Sequence, residues 1–232
     1  WSKIIESKIF SDYMMIFFHK PGHGNSEIIS ELRLEILTEH FYEAIKKIIG
    51  TTKAHLVGAS LGGMVAQSLI QEFPDQFLTL SLSNSFSMIS DNFIKLDRDK
   101  AFYFFKDLIK NEMNSIREDV ENSQLFVDEE MILENSQNIK TKSIFSYVDN
   151  MKTFSTREKL HDISKPVFFI TGGKDSLKKV IIDESDNECF SKRIKDFSYC
   201  EIEAAGHFPY ITHFDHFSDK FFNFISKNNN KL

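Results

Sequence analysis

Along this chain, short apolar runs alternate with longer stretches in which apolar residues return at every third or fourth position. That alternation predicts strands at Tyr13–Phe18, Ala54–Val57 and Phe77–Ser83. It predicts helices over Ser2–Ser7, from Ile28 to Ile48 with Gly50 as the stop, and over Met64–Phe73 with Pro74 as the stop. Strands separated by helices pair in parallel through crossover connections, so the expected class is α/β, a mostly parallel sheet flanked by helices. Ligands of such sheets collect at the carboxyl ends of the strands.

From Phe86 to about Phe154 the alternation stops, and the segment reads as helices rich in aromatic residues: Phe102, Tyr103, Phe104, Phe105, Phe126, Phe145 and Tyr147. These aromatics either form that segment's own core or line a pocket. Strands resume at Pro166–Thr171 and Tyr199–Glu203, and a terminal helix carrying His213 and His216 leads into a polar tail, Lys227–Lys231, expected to fray. The organisation read from this is a core of residues 1–85 and 155–232 with a helical insertion at 86–154 between two late strands.

Composition narrows the partners. At 232 residues with 41% hydrophobic and 27% charged side chains, the chain suits one compact domain with a full core. A net charge of −6 without a Lys/Arg stripe argues against nucleic acid, and no apolar run approaches the ~20 residues of a membrane span. Cys189 and Cys200 lack metal-ligand spacing and read as thiols of a reducing compartment or as a disulfide; the first reading makes the expected location cytoplasmic. His213 and His216 have no third ligand nearby and read as surface histidines, so no metal is expected. His19 and His23 read as turn residues, and the charges from Asp91 to Asp99 as a solvated face.

Chemistry concentrates at Gly58-Ala59-Ser60-Leu61-Gly62, a junction from strand to helix. A serine between glycines there can occupy a tight backbone corner that holds its hydroxyl out at the sheet edge, and the helix start supplies the Leu61 N–H as an oxyanion donor. Such a hydroxyl needs a base and an orienting carboxylate. Gly172-Gly173-Lys174-Asp175 turns off the end of one later strand, and Ala204-Ala205-Gly206-His207-Phe208-Pro209 off the next. The candidate catalytic residues are therefore Ser60, Asp175 and His207, with Leu61 in the oxyanion hole. Taken singly, each has a plainer reading: Ser60 as a turn serine, Asp175 as the N-cap of a segment near Leu177, and His207 as a packed loop histidine.

The order serine, aspartate, histidine, with a strand before each, resembles the α/β-hydrolase family of serine-esterase type. Leu56–Gly63 is similar to its nucleophile elbow, Gly172–Asp175 to its acid turn, Gly206–Pro209 to its histidine loop, and Pro21-Gly22-His23-Gly24-Asn25-Ser26 to its Pro-Gly-x-Gly-x-Ser turn. The resemblance runs to about Phe224. It implies a helical cap at 86–154, ester or thioester hydrolysis on a small-molecule substrate with a hydrophobic acyl chain, and no cofactor. It also implies an upstream strand ending in His-Gly that carries a second oxyanion donor; none precedes Tyr13, so the chain reads as lacking ~30–50 amino-terminal residues. Ala204–His213 is similar to the carboxyl end of pimeloyl-carrier-protein methyl ester esterases, over a stretch shared by many esterases. The alternative is a non-catalytic binding module: Gly58–Gly63, Ser83–Ser87 and Phe208–Tyr210 resemble maspardin, a hydrolase-like adaptor that lacks the catalytic acid. Asp175 favours the enzyme. Oligomeric state is not legible in the sequence.

Overall fold

The computed structural model describes residues 1–29, 31–104, 106–107, 110, 114, 141–179, 181 and 186–229. Its sheet has four parallel strands in the order β1 (Ala54–Ala59), β2 (Phe77–Ser83), β3 (Val167–Gly172) and β4 (Phe197–Ile202). Every residue of β3 is buried, because the sheet is covered on both faces and side chains alternate between them. Val167 and Phe169 join one core cluster, with Leu80, Leu82, Met64 and Phe190. Phe168 and Ile170 join the other, with Phe217, Phe221 and Ile225.

The chain opens on α1 (Ser2–Glu6), and α2 (Leu34–Ile49) stops at Gly50, which takes a positive φ of 58°. Helix α3 (Leu61–Glu72) links β1 to β2, and α4 (Asp91–Ile94) and α5 (Thr141–Met151) follow β2. Helix α6 (Asp186–Arg193) lies between β3 and β4, after which α7 (Pro209–Thr212) and α8 (Phe214–Asn229) close the described chain. The helix expected from Ile28 begins instead at Leu34. Leu32 and Leu34 are buried while Glu31 and Arg33 face out, so the burial there has period two and the segment enters the helix extended.

The strand expected at Tyr13–Phe18 does not form. A strand needs a ladder partner, and in the described sheet β1 pairs with β2 alone. Residues 13–18 pack by side chains instead: Tyr13 sets its ring edgewise to His55 and Phe18 to Phe41, while Met14 and Phe17 stay exposed. The tail is the converse correction. Lys227, Asn228 and Asn229 belong to α8, with Asn228 buried and its amide donating to Phe224 O at 2.8 Å; residues 230–232 lie outside the described residues. His213 sits between α7 and α8 rather than on the terminal helix.

Of the aromatics in 86–154, Phe102 and Tyr147 are buried, Phe104 packs against the main core, and Tyr103 is 62% exposed. Phe105, Phe126 and the side chain of Phe145 lie outside what is described. Tyr147 fastens α5 to the Pro-Gly turn: its hydroxyl donates to Pro21 O at 3.1 Å, the His23 ring meets it edgewise, and the Lys20 ammonium lies 5.3 Å from its ring centre. Burial, with help from Lys20, holds His23 down at about 4, from 6.5. Between those values the unfolded chain binds a proton that the folded chain refuses, so stability falls as pH drops from about 6.5 to about 4. His23→Gln is expected to flatten the thermal midpoint across that window relative to the parent chain. Parallel curves for the two proteins would contradict the assignment.

Candidate active site

At the carboxyl end of β1 the backbone turns sharply, and Ser60 takes φ 51°, ψ −127°, a region that a non-glycine residue enters only at a cost of about 1–3 kcal/mol. The surroundings impose it. Ser60 N–H donates to Ser83 O at 2.9 Å, the Ser85 hydroxyl donates to Ser60 O at 3.0 Å, and the strand and the following helix meet backbone to backbone. A Cβ on Gly58 would fall 2.6 Å from Gly62 O, and one on Gly63 would fall 2.2 Å from Ser85 Oγ. The glycines are therefore required by close approach. Leu61 opens α3, in the first turn, where backbone N–H groups have no acceptor within the helix.

Below this corner lies a buried polar strut. The Gln67 amide donates to Gly63 O at 3.1 Å and Phe86 O at 2.9 Å, and accepts from Thr156 Oγ1 at 2.7 Å. Asp186 accepts from Ser87 N at 3.0 Å and pairs with Arg157 at 2.9 Å. Burial raises the Asp186 carboxyl above its ordinary value, against the pull of the Ser87 and Arg157 hydrogen bonds. These bonds hold the chain beyond β2 against α3 and α6.

Two strands away β3 delivers Asp175, and one strand further β4 delivers His207. His207 Nδ1 lies 2.9 Å from Asp175 Oδ2, with the two side chains 4% and 0% exposed. Asp175 Oδ1 accepts Leu177 N–H at 2.9 Å, so Asp175 caps the short turn after it while its other oxygen meets His207. Acid turn and histidine loop are joined by backbone: Gly173 N–H donates to Ile202 O at 3.0 Å and Lys174 N–H to Ala205 O at 2.9 Å.

The structure thus brings Asp175 and His207 into direct contact and places Ser60 on the same carboxyl edge of the sheet. A Ser60 Oγ to imidazole hydrogen bond is not present among the described residues. The link between the two halves is a residue to which the sequence reading gave no place in the site. Asn84 follows Ser83, whose carbonyl holds Ser60, and its amide donates to Asp175 Oδ2 at 2.7 Å and Gly206 O at 3.1 Å. A polar residue tolerant of positive φ directly after an apolar strand was the available signal. No group of three or more His, Cys, Asp or Glu side chains among the described residues is placed to hold a metal ion. His213 bonds its neighbour Thr212 at 2.9 Å. Cys189 and Cys200 are both free thiols. No helix of the described residues is long and apolar enough to cross a membrane.

A family model described as the alpha/beta hydrolase fold matches residues 1–214. The chain belongs to the α/β-hydrolase family. It is 24% identical over 219 residues to a pimeloyl-acyl-carrier-protein methyl ester esterase of Neisseria meningitidis, covering 88% of this chain and 66% of that protein. It is 24% identical over 226 residues to 3-oxoadipate enol-lactonase 1 of Acinetobacter baylyi, covering 93% of this chain and 79% of that protein. The chain thus spans just under two thirds of the first relative and about four fifths of the second. Among solved structures, the enol-lactonase of Burkholderia xenovorans superposes with a TM-score of 0.71 at 18% identity, over 89% of this chain and 78% of that one. This α/β-hydrolase therefore shares its described fold with enzymes of low sequence identity.

Proposed function

We propose that this α/β-hydrolase cleaves carboxylic esters or thioesters through an acyl-enzyme on Ser60. His207 takes the Ser60 proton as the hydroxyl oxygen bonds to the substrate carbonyl carbon, and Asp175 fixes the imidazole tautomer and stabilises its charge. The Leu61 N–H, at the helix start, stabilises the oxyanion. Collapse of the tetrahedral adduct expels the alcohol or thiol, which takes the proton from His207. Water then repeats the sequence and frees the acid. The observation that carries this reading is the buried His207–Asp175 pair, on the same sheet edge as a serine held at positive φ. An adaptor that only presents a surface has no use for it.

The described stretches 86–104 and 141–154 follow β2 and are read as part of a cap, and the esterase and lactonase relatives support a small-molecule ester substrate, for which we propose a hydrophobic acyl chain. A cytoplasmic location fits the two free thiols. Incubation with a fluorophosphonate probe and mapping by mass spectrometry is expected to place one adduct on Ser60 and none in His207→Ala. Unlabelled Ser60 in the folded protein would replace the enzyme with the adaptor.

A further inference from the structure

Asn84 is 1% exposed and sits at the carboxyl end of β2 with φ 43°. Its backbone N–H donates to Ile170 O at 2.9 Å, continuing the β2–β3 ladder by one residue. Its side chain then touches three further pieces of the site. Oδ1 accepts Gly172 N–H at 2.9 Å, where the acid turn begins; Nδ2 donates to Asp175 Oδ2 at 2.7 Å and to Gly206 O at 3.1 Å, the peptide before His207. The orientation of the amide is dictated by these partners, because a peptide N–H can only donate and a carbonyl or carboxylate can only accept.

We propose that Asn84 is a positioning residue that aims the Asp175 carboxylate at the His207 imidazole, and this rests on the triad reading of Ser60, Asp175 and His207. An asparagine that served only to satisfy buried backbone groups could do so through Gly172 and Gly206. This one also binds Oδ2, the same carboxylate oxygen that meets His207 Nδ1 at 2.9 Å. With Oδ1 held by Leu177 N–H, the carboxylate is gripped on both oxygens, and its plane is set so that Oδ2 faces the imidazole. The residue type follows from two demands. Positive φ favours Gly, Asn or Asp at low cost. Glycine offers no amide, and an aspartate would set a second carboxylate 2.7 Å from Asp175 Oδ2, where like charges oppose each other.

Two variants separate positioning from packing. Asn84→Gly keeps the backbone conformation and deletes the amide; Asn84→Asp keeps the shape and replaces the donor with a carboxyl group. Each is measured for kcat and KM on a p-nitrophenyl ester across pH, for the far-downfield proton resonance of the His207 ring N–H, assigned by its loss in His207→Ala, and for thermal midpoint. The expected result is a kcat lower by roughly 10–100-fold with KM within about twofold of the parent, since a misaimed group forfeits orientation and not substrate binding. In both variants the ring N–H resonance shifts or broadens. In Asn84→Asp the acid limb of kcat/KM changes position or shape, because the new carboxyl group and Asp175, set about 2.7 Å apart, share a proton and titrate as a pair. Lowered thermal midpoints with unchanged kcat, resonance and pH profile in both variants would reduce Asn84 to a packing residue. Should the parent protein neither label at Ser60 nor hydrolyse esters, the triad reading falls, while the resonance still decides whether Asn84 sets the Asp175–His207 geometry.

Discussion

Asp175→Asn is expected to lower kcat by about 10⁴ while leaving KM nearly unchanged, and Ser60→Ala to lower it by roughly 10⁶. The larger figure follows from deleting the atom proposed to form the acyl-enzyme. The smaller one follows from hydrogen-bond counting. Asp175 accepts three N–H groups, Leu177 N at Oδ1 and both Asn84 Nδ2 and His207 Nδ1 at Oδ2. An asparagine has a single acceptor oxygen, so its NH2 must face donors on one side. If the NH2 replaces Oδ2, the imidazole is driven to present a lone pair at Nδ1 and to carry its proton on Nε2, where it cannot accept one from Ser60. Steady-state kinetics on an activated ester, with both variants checked for native circular dichroism, tests the pair. Turnover in Asp175→Asn within tenfold of the parent would remove Asp175 from its role.

The second large effect is structural. Gly172→Ala is expected to destabilise the fold by about 3 kcal/mol or more and to disable the site even in the molecules that remain folded. A Cβ at Gly172 would lie 2.0 Å from Gly206 O and 2.4 Å from Ala205 O, both backbone atoms that no rotamer change can move aside. Relief requires the histidine loop to back away from the acid turn, which lengthens the 2.9 Å contact between His207 and Asp175. Gly62→Ala is the matched control. Its Cβ meets nothing within 4 Å, and the residue lies in α3, so the same substitution is expected to leave stability unchanged or raise it by up to about 1 kcal/mol. Urea melts of the two variants check the contrast, and equal midpoints would show that the acid turn and histidine loop are not packed as described.

How much of this was readable from the chain varies with the range of the forces involved. Strand Phe77–Ser83 was legible to the residue, because Leu78, Leu80 and Leu82 alternate with Thr79, Ser81 and Ser83 at the strand period, just after the helix stop at Pro74. The elbow at Ser60 was legible because the clashes that exclude side chains from residues 58 and 63 arise within a few residues of the serine, or from Ser85 just beyond β2. Tyr13–Phe18 misled for the opposite reason. Its apolar content satisfies the local rule for a strand, but pairing is a property of the neighbour, and the described sheet has none beside it. The polar run at Lys227–Asn229 likewise hid a helix end that is held by Asn228 bonding to Phe224 and by Asn229 Oδ1 lying 3.4 Å from His55 Nε2.

The amino-acid order alone settled the α/β class, the family, and the identity of the candidate nucleophile, acid and base, since periodicity, turn chemistry and short motifs are written in near neighbours. Only the folded chain decided that Asp175 and His207 touch, that Asn84 bonds both the acid and the peptide before the histidine, and that Tyr13–Phe18 stays out of the described sheet. Those are contacts between segments 30 to 120 residues apart in order of magnitude, chosen by how strands stack and which backbone atoms then face each other, and no local pattern carries that information.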